Sequence, residues 1–297
     1  MLEKEEFMKK IKAILKLMRI KHYLKNGLIV LPLFFSSLLT DSDAILNIVV
    51  GFLIFSFASS IVYIINDIKD VEKDRNHPIK KERPLASKKI SISFAIFLLI
   101  ILMLLIFFIQ FLYFGMNYSI YFVLTYIILN ILYSIKLKNI ALIDVSIVAF
   151  GFLLRVYYGA SIIDVEVSNW LYLTILFAAF YMALGKRRNE LEKQNSKNTR
   201  EVLRHYTREF LDKNMYMCLG STIVFYSLWA MDVSVNTSNI VIWTIPLVTL
   251  ILMRYSLIVE KDSHGDPVDV LLGDYALMIL AIIYAIMLAI AFYFIGG

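Results

Sequence analysis

A single cysteine, Cys218, lies inside an apolar run, so no disulfide can form within the chain and cysteine usage does not report the redox compartment. The four histidines show no metal-ligand spacing. His22, His205 and His264 read as surface residues, and His77 as a loop residue beside a group of aspartates. Charged residues make up only 18% of the chain, below the share usual in a soluble domain. The long apolar runs lack the strict alternation of a lipid-spanning barrel, so that architecture is excluded. The basic, amphipathic segment 1–26 lacks a short apolar core followed by a small-residue cleavage site. It does not read as a signal peptide and is expected to lie along a membrane surface.

What is abundant is hydrophobicity: 60% of the residues, with a mean hydropathy of +0.72. Nine apolar stretches stand out, at about 27–41, 45–65, 91–113, 116–134, 141–160, 168–185, 214–231, 240–259 and 274–295. Most reach the ~18 residues that mark a bilayer span; the first is short and holds Pro32. Lipid cannot satisfy exposed backbone groups, so helices are required. The expectation is one polytopic all-α membrane domain over 1–297, with nine transmembrane helices.

The charges alternate with the stretches. Of 30 lysines and arginines, eight lie in 1–25, eight in 66–90 and nine in 186–213. The alternate connections carry Asp41, Asp43, Asp164, Glu166 and Asp232 instead. The excess of basic residues on one side predicts that the N-terminus and the segments 66–90, 134–140, 186–213 and 260–273 face the cytoplasm of a cell membrane. Acidic residues contribute little to orientation, so the aspartates of 66–90 need another reason.

Asp67, Asp70 and Asp74 are spaced i, i+3, i+7. On a continuous helix they fall within about 60° of one another. Asn66 lies near the same face. Three converging carboxylates repel unless a cation sits among them, and Mg²⁺ suits oxygen ligands completed by substrate phosphates. His77-Pro78 is expected to end the helix. Lys80, Lys81 and Arg83 follow, suited to a polyanion that arginine can grip with two parallel bonds. A Mg²⁺–diphosphate site is expected here.

The run "NDIKDVEKDRNHPIKKERPLA" resembles the first aspartate-rich motif of the UbiA superfamily of intramembrane prenyltransferases, N-D-x-x-D-x-x-x-D followed by a basic residue and R-P. That resemblance implies nine helices around a central cavity with a cytoplasmic polar cap. The second polar segment reads "YMALGKRRNELE" and lacks the aspartates of the superfamily's second motif. Its G-K-R-x-x-E-L is similar to the decaprenyl-phosphate phosphoribosyltransferase branch, as are "RIKHYLKN", "RVYYGA", "VLRHYTREFLD" and "LMRYSLIVEKDSHGDPVDVLLGD". The resemblance covers about residues 19 to 285. It implies Mg²⁺-dependent transfer of 5-phosphoribose from phosphoribosyl diphosphate (PRPP) to a polyprenyl phosphate, and makes a trimer an open expectation.

In that reading Asp67 and Asp70 ligate the metal, with Asp74 direct or through water, and Lys80 and Arg83 clamp diphosphate. Lys25 and the Lys186–Arg187 pair screen the approach of the lipid phosphate or hold the ribose phosphate. Glu190, i+4 from Lys186, is a substrate contact or a helix-surface ion-pair partner. Arg155, inside an apolar stretch, binds phosphate or pairs with an acid such as Asp144. Arg188 reads as solvated, Arg254 as snorkelling, and Tyr158 as part of an interfacial aromatic belt, with Tyr157 there or in the cavity. Two alternatives stand: transfer of a prenyl group from its diphosphate to an aromatic or glycerol-phosphate acceptor, and a transporter. The missing second aspartates weigh against the first. Charge gathered at one edge weighs against the second.

Overall fold

In a computed structural model the chain is all-α among the described residues, which are 2–295 except 37, 79, 193–200, 236 and 262–266. His264 and the middle of the second polar segment lie outside them. Twelve α-helices follow in order: α1 Leu2–Met18, α2 Leu31–Phe35, α3 Ser42–Lys69, α4 Val71–Arg75, α5 Ile92–Phe114, α6 Ser119–Ile135, α7 Ile143–Ile162, α8 Asn169–Glu192, α9 Arg208–Ser234, α10 Ile240–Glu260, α11 Pro267–Gly273 and α12 Tyr275–Ile290.

Among the described residues, six helices are long and apolar enough to cross a bilayer: α3, α5, α7, α9, α10 and α12, the last with its continuation to Tyr293. The other three stretches differ. The stretch at 27–41 begins in the last residues of a 3-10 segment, Ile20–Val30, and passes into the five-residue α2, where Pro32 sits in the first turn. The stretch at 116–134 becomes the 17-residue α6. The stretch at 168–185 runs on into the charged end of α8, through Lys186, Arg187, Arg188, Glu190 and Glu192. Six of the nine stretches meet that measure among the described residues, and the all-helical membrane bundle expected from the sequence is borne out.

Local chemistry fixes the helix starts. Asp41 caps α3 by accepting from the amides of Asp43 and Ala44, Ser91 caps α5, Thr207 caps α9 and Asp274 caps α12. α3 and α7 form the centre, each 67% buried over its apolar window, against 17% for α5 and α10. One apolar core joins α1, α3, α5 and α6 to α7. Two others join α8 to α12 at opposite ends of the second half.

α1 buries Ala13 and Leu17 and leaves most of its other described side chains exposed. It ends at Arg19, whose left-handed backbone (φ 54°) redirects the chain into the 3-10 segment. That segment lies directly on α7. A Cβ built on Gly159 would stand 2.2 Å from the Ile29 carbonyl oxygen. Glycine is required there because the obstacle is backbone. The contact brings Lys25 and Asn26 beside the middle of α7.

Tyr158 is fully buried and packs on Phe55, which corrects its placement in an aromatic belt: it lies between α3 and α7 at the centre of the bundle. Tyr157, half-buried, stacks on Phe122.

Gly159→Ala should lower thermal stability in detergent by roughly 1–3 kcal/mol, the range for overpacking a close contact. Gly220→Ala, with nothing within 4 Å of its added Cβ, should be neutral or slightly stabilising. Equal midpoints for the two variants would show that the 3-10 segment does not depend on this contact.

Candidate active site

A cavity of about 310 Å³ opens among the polar ends of α3, α6, α7 and α8. Arg19 and Lys25 enter from the 3-10 side, Asn66 and Asp70 from α3 and its end, and Lys80 and Arg83 from the following loop. Lys138, Arg155, Lys186 and Arg187 complete the charged lining. Eight lining residues are thus cationic and one, Asp70, is acidic. All candidate site residues except Asp67, Asp74 and Glu190 reach the cavity wall.

The aspartates do not share one continuous helix. α3 ends at Lys69; Asp70 has a non-helical backbone (φ −94°, ψ 6°), and Asp74 lies on the separate α4. That second helix stops at Arg75, ahead of His77-Pro78. Asp67 and Asp74, both buried, converge on a guanidinium. Arg83 Nη1 donates to Asp74 Oδ2 at 2.6 Å and to Asp67 Oδ1 at 3.2 Å. Arg19 Nη2 donates to the same Asp67 oxygen at 2.5 Å, and its guanidinium lies 4.5 Å from the Tyr63 ring centre. Asp70 instead faces the cavity, with Lys138 at 3.9 Å. Asn66 Oδ1 accepts from Ser134, whose carbonyl also holds Lys69 at 2.5 Å.

Among the described residues no group of three or more His, Cys, Asp or Glu side chains is close enough to hold a metal by itself. The donor set still fits one hard divalent ion shared with a substrate. Such ions take one or two carboxylates and complete their shell with phosphate oxygens and water, and Asp70 beside Asn66 supplies that much.

Arg155 lies 11 residues along α7 from Asp144, about 16 Å deeper at 1.5 Å per residue. It is 6% exposed. Nε donates to Asn26 Oδ1 at 2.8 Å, Nη1 to the Gly151 carbonyl at 2.5 Å and Nη2 to Tyr126 Oη at 3.2 Å. Phe55 and Tyr126 present ring faces at 5.2 and 4.9 Å. Asn26, fully buried, also donates to Ser56 Oγ. Among the described residues no carboxylate pairs with Arg155. The option that it pairs with Asp144 is overturned, because Asp144 accepts from Arg187 Nε instead.

Arg187 is 2% exposed and fully engaged along one side, by Asp144, by Glu190 (2.7 Å) and by Tyr133 Oη (3.0 Å). Glu190 therefore orients an arginine of the cavity wall from i+3. Asp144 also accepts from Tyr206 Oη at 2.6 Å. Burial, reinforced by that carboxylate, raises the Tyr206 phenol above its ordinary range, so it stays protonated. Arg188 is not solvated: it is 4% exposed, bonded to Asp212 at 2.5 Å and Glu192 at 3.3 Å, because α8 and α9 pack along that face. Arg254 pairs with Asp274 through two hydrogen bonds.

Sequence reasoning gave Arg19 and Asn26 no role beyond a motif match, and missed Tyr126, Tyr133, Ser134 and Lys138. The first two have a signal, a cation and an amide entering an apolar run. The tyrosines and serine have none, since α6 carries such residues on several faces.

The UbiA prenyltransferase family profile matches residues 29–272. The decaprenyl-phosphate phosphoribosyltransferase of Corynebacterium glutamicum is 30% identical over 95% of this chain and 87% of its own. That of Mycolicibacterium smegmatis is 28% identical over 96% and 93%. A UbiA homolog from Archaeoglobus fulgidus, solved bound to GPP and Mg²⁺, superposes with a TM-score of 0.68 at 22% identity, covering 94% of this chain and 98% of its own.

Asp67→Asn should cost roughly 3–5 kcal/mol of stability, since two guanidiniums lose their shared counter-charge. Asp70→Asn, at the open cavity wall, should stay within about 0.5 kcal/mol. Thermal unfolding in detergent reads both. Equal losses would mean that the two carboxylates are equivalent structural members.

Proposed function

This chain belongs to the UbiA prenyltransferase family, and within it we propose that the protein transfers 5-phosphoribose from PRPP to a polyprenyl phosphate, releasing diphosphate. The carrying observation is the cavity lining, eight cations against one carboxylate. Two substrates that bring a ribose phosphate, a diphosphate and a lipid phosphate together need such an excess. The relatives named for this reaction support the reading. The basic segments between alternate apolar stretches support a cavity mouth on the cytoplasmic side of the cell membrane, where a soluble sugar diphosphate is at hand.

In the reaction the bond between the ribose anomeric carbon and diphosphate breaks, and a bond from that carbon to a lipid phosphate oxygen forms. The attacking oxygen is already anionic, so no general base is needed. The requirements are neutralisation and alignment. Asp70 and Asn66 would hold a divalent ion, magnesium in this reading, jointly with substrate oxygens. When bound, it supplies Lewis-acid stabilisation of the departing diphosphate. Asp67 and Asp74 hold Arg83 at the same rim and would join the ion only by releasing it. Lys80 and Arg83 face the diphosphate, Arg187 faces the same sugar diphosphate from α8, and Lys186 faces the lipid phosphate that approaches it. Lys25 and Arg155 line the deeper part, where a second anion is neutralised away from water.

The test uses purified full-length protein, Mg²⁺, a polyprenyl phosphate and PRPP labelled in the ribose. Label should pass into the lipid phase. Asp70→Asn should lower that transfer by about 10³-fold, the scale of losing a transition-state charge partner, with its folding intact. No transfer by the unaltered protein, together with turnover of a prenyl diphosphate on an aromatic acceptor, would replace this function with ordinary prenyl transfer.

A further inference from the structure

Among the described residues of the second polar segment, Val202 and Leu203 are buried in the bundle, and Tyr206 follows just before the cap of α9, outside the cavity lining. Its ring is buried and stacks on Phe210 at 5.9 Å. Its hydroxyl stands at a junction. It donates to Asp144 Oδ1 at 2.6 Å and accepts the Leu142 amide at 2.7 Å. Leu142 has φ 68° and ψ −41°, a strained backbone for a branched side chain. Strain of this kind persists only where surrounding bonds enforce it. The Tyr206 hydroxyl is one such bond, and the turn it holds starts α7 and places Asp144 in its first turn.

Asp144, fully buried, spends its other oxygen on Arg187 Nε. Glu190 and Tyr133 take one N–H from each terminal nitrogen of the same guanidinium. Three of its five N–H donors are thereby used. One remains on each terminal nitrogen, and these are the atoms that grip phosphate oxygens in pairs. Arg187 lines the cavity, so its orientation decides whether those two donors meet an anion.

We propose that Asp144 and Tyr206 are positioning residues that aim Arg187 at the diphosphate-bearing substrate, and that the Tyr206 hydroxyl couples the second polar segment to anion binding. The identity of that substrate as PRPP rests on the proposed function; the coupling to a diphosphate anion does not.

The experiment compares full-length wild type and Tyr206→Phe in detergent. Calorimetry reads the affinity for inorganic diphosphate with Mg²⁺, thermal unfolding reads the fold, and steady-state kinetics read each substrate. Loss of the hydroxyl should weaken diphosphate binding and raise KM for PRPP about tenfold, the size expected of one charge-assisted hydrogen bond. The kcat and the KM for the lipid phosphate should stay within about twofold. In an Arg187→Lys background the same change should alter diphosphate affinity by less than about twofold, because the guanidinium it acts through is gone. Asp144→Asn, which keeps an acceptor for Tyr206 but turns an amide toward Arg187, should weaken diphosphate binding in the same direction. It serves where Tyr206→Phe does not fold. Unchanged diphosphate affinity in a folded Tyr206→Phe protein, a full independent loss in the Arg187→Lys background, or no diphosphate binding by wild type would overturn the proposal. Failure of wild type to transfer ribose label, with the diphosphate result intact, would overturn only the choice of substrate.

Discussion

A guanidinium about three turns inside an apolar bundle must be held by oxygens, and the rest of the cavity follows from how Arg155 is held. Its partners come from three elements: Asn26 on the 3-10 segment, Tyr126 on α6 and the Gly151 carbonyl on α7. Joining them requires the 3-10 segment to lie on α7, which the missing side chain of Gly159 permits. Neutral dipoles and ring faces solvate the charge without cancelling it. A cation kept charged in a low-dielectric wall is a standing attraction for an anion.

The other cations divide by their partners. Arg188 is tied into α8–α9 packing by Asp212 and Glu192 and serves the fold. Arg19 and Arg83 are bound to buried aspartates at the rim, so the acidic motif organises cations. Arg187 is oriented by Asp144 and Glu190 yet still lines the cavity. An arginine of the second polar segment is thus backed by two acids, Asp144 from α7 and Glu190 from α8.

Much of this was legible beforehand. The apolar stretches located the long helices, because lipid and a buried core both demand continuous apolar surface. The motif at 66–83 located the cavity mouth, and Arg155 announced itself by its cost in an apolar setting. Other features were not legible. A break in the helix at Asp70 separates carboxylates that helical spacing alone would align. Arg188 and Tyr158 looked like surface groups because composition cannot show which face of a helix another helix covers. Ser134, Tyr126 and Tyr133 carry no local pattern that marks them as wall residues.

The sequence by itself determined the solvent: runs too apolar for water, with basic segments gathered between alternate runs. These are sums over many residues, so they survive without knowledge of contacts. Only the tertiary structure decided which charges meet. Asp144 and Arg187 are 43 positions apart, and Asn26 and Arg155 are 129 apart. An ion pair or a hydrogen bond acts over a few ångströms and has direction, so its partners are chosen by packing geometry and not by order along the chain.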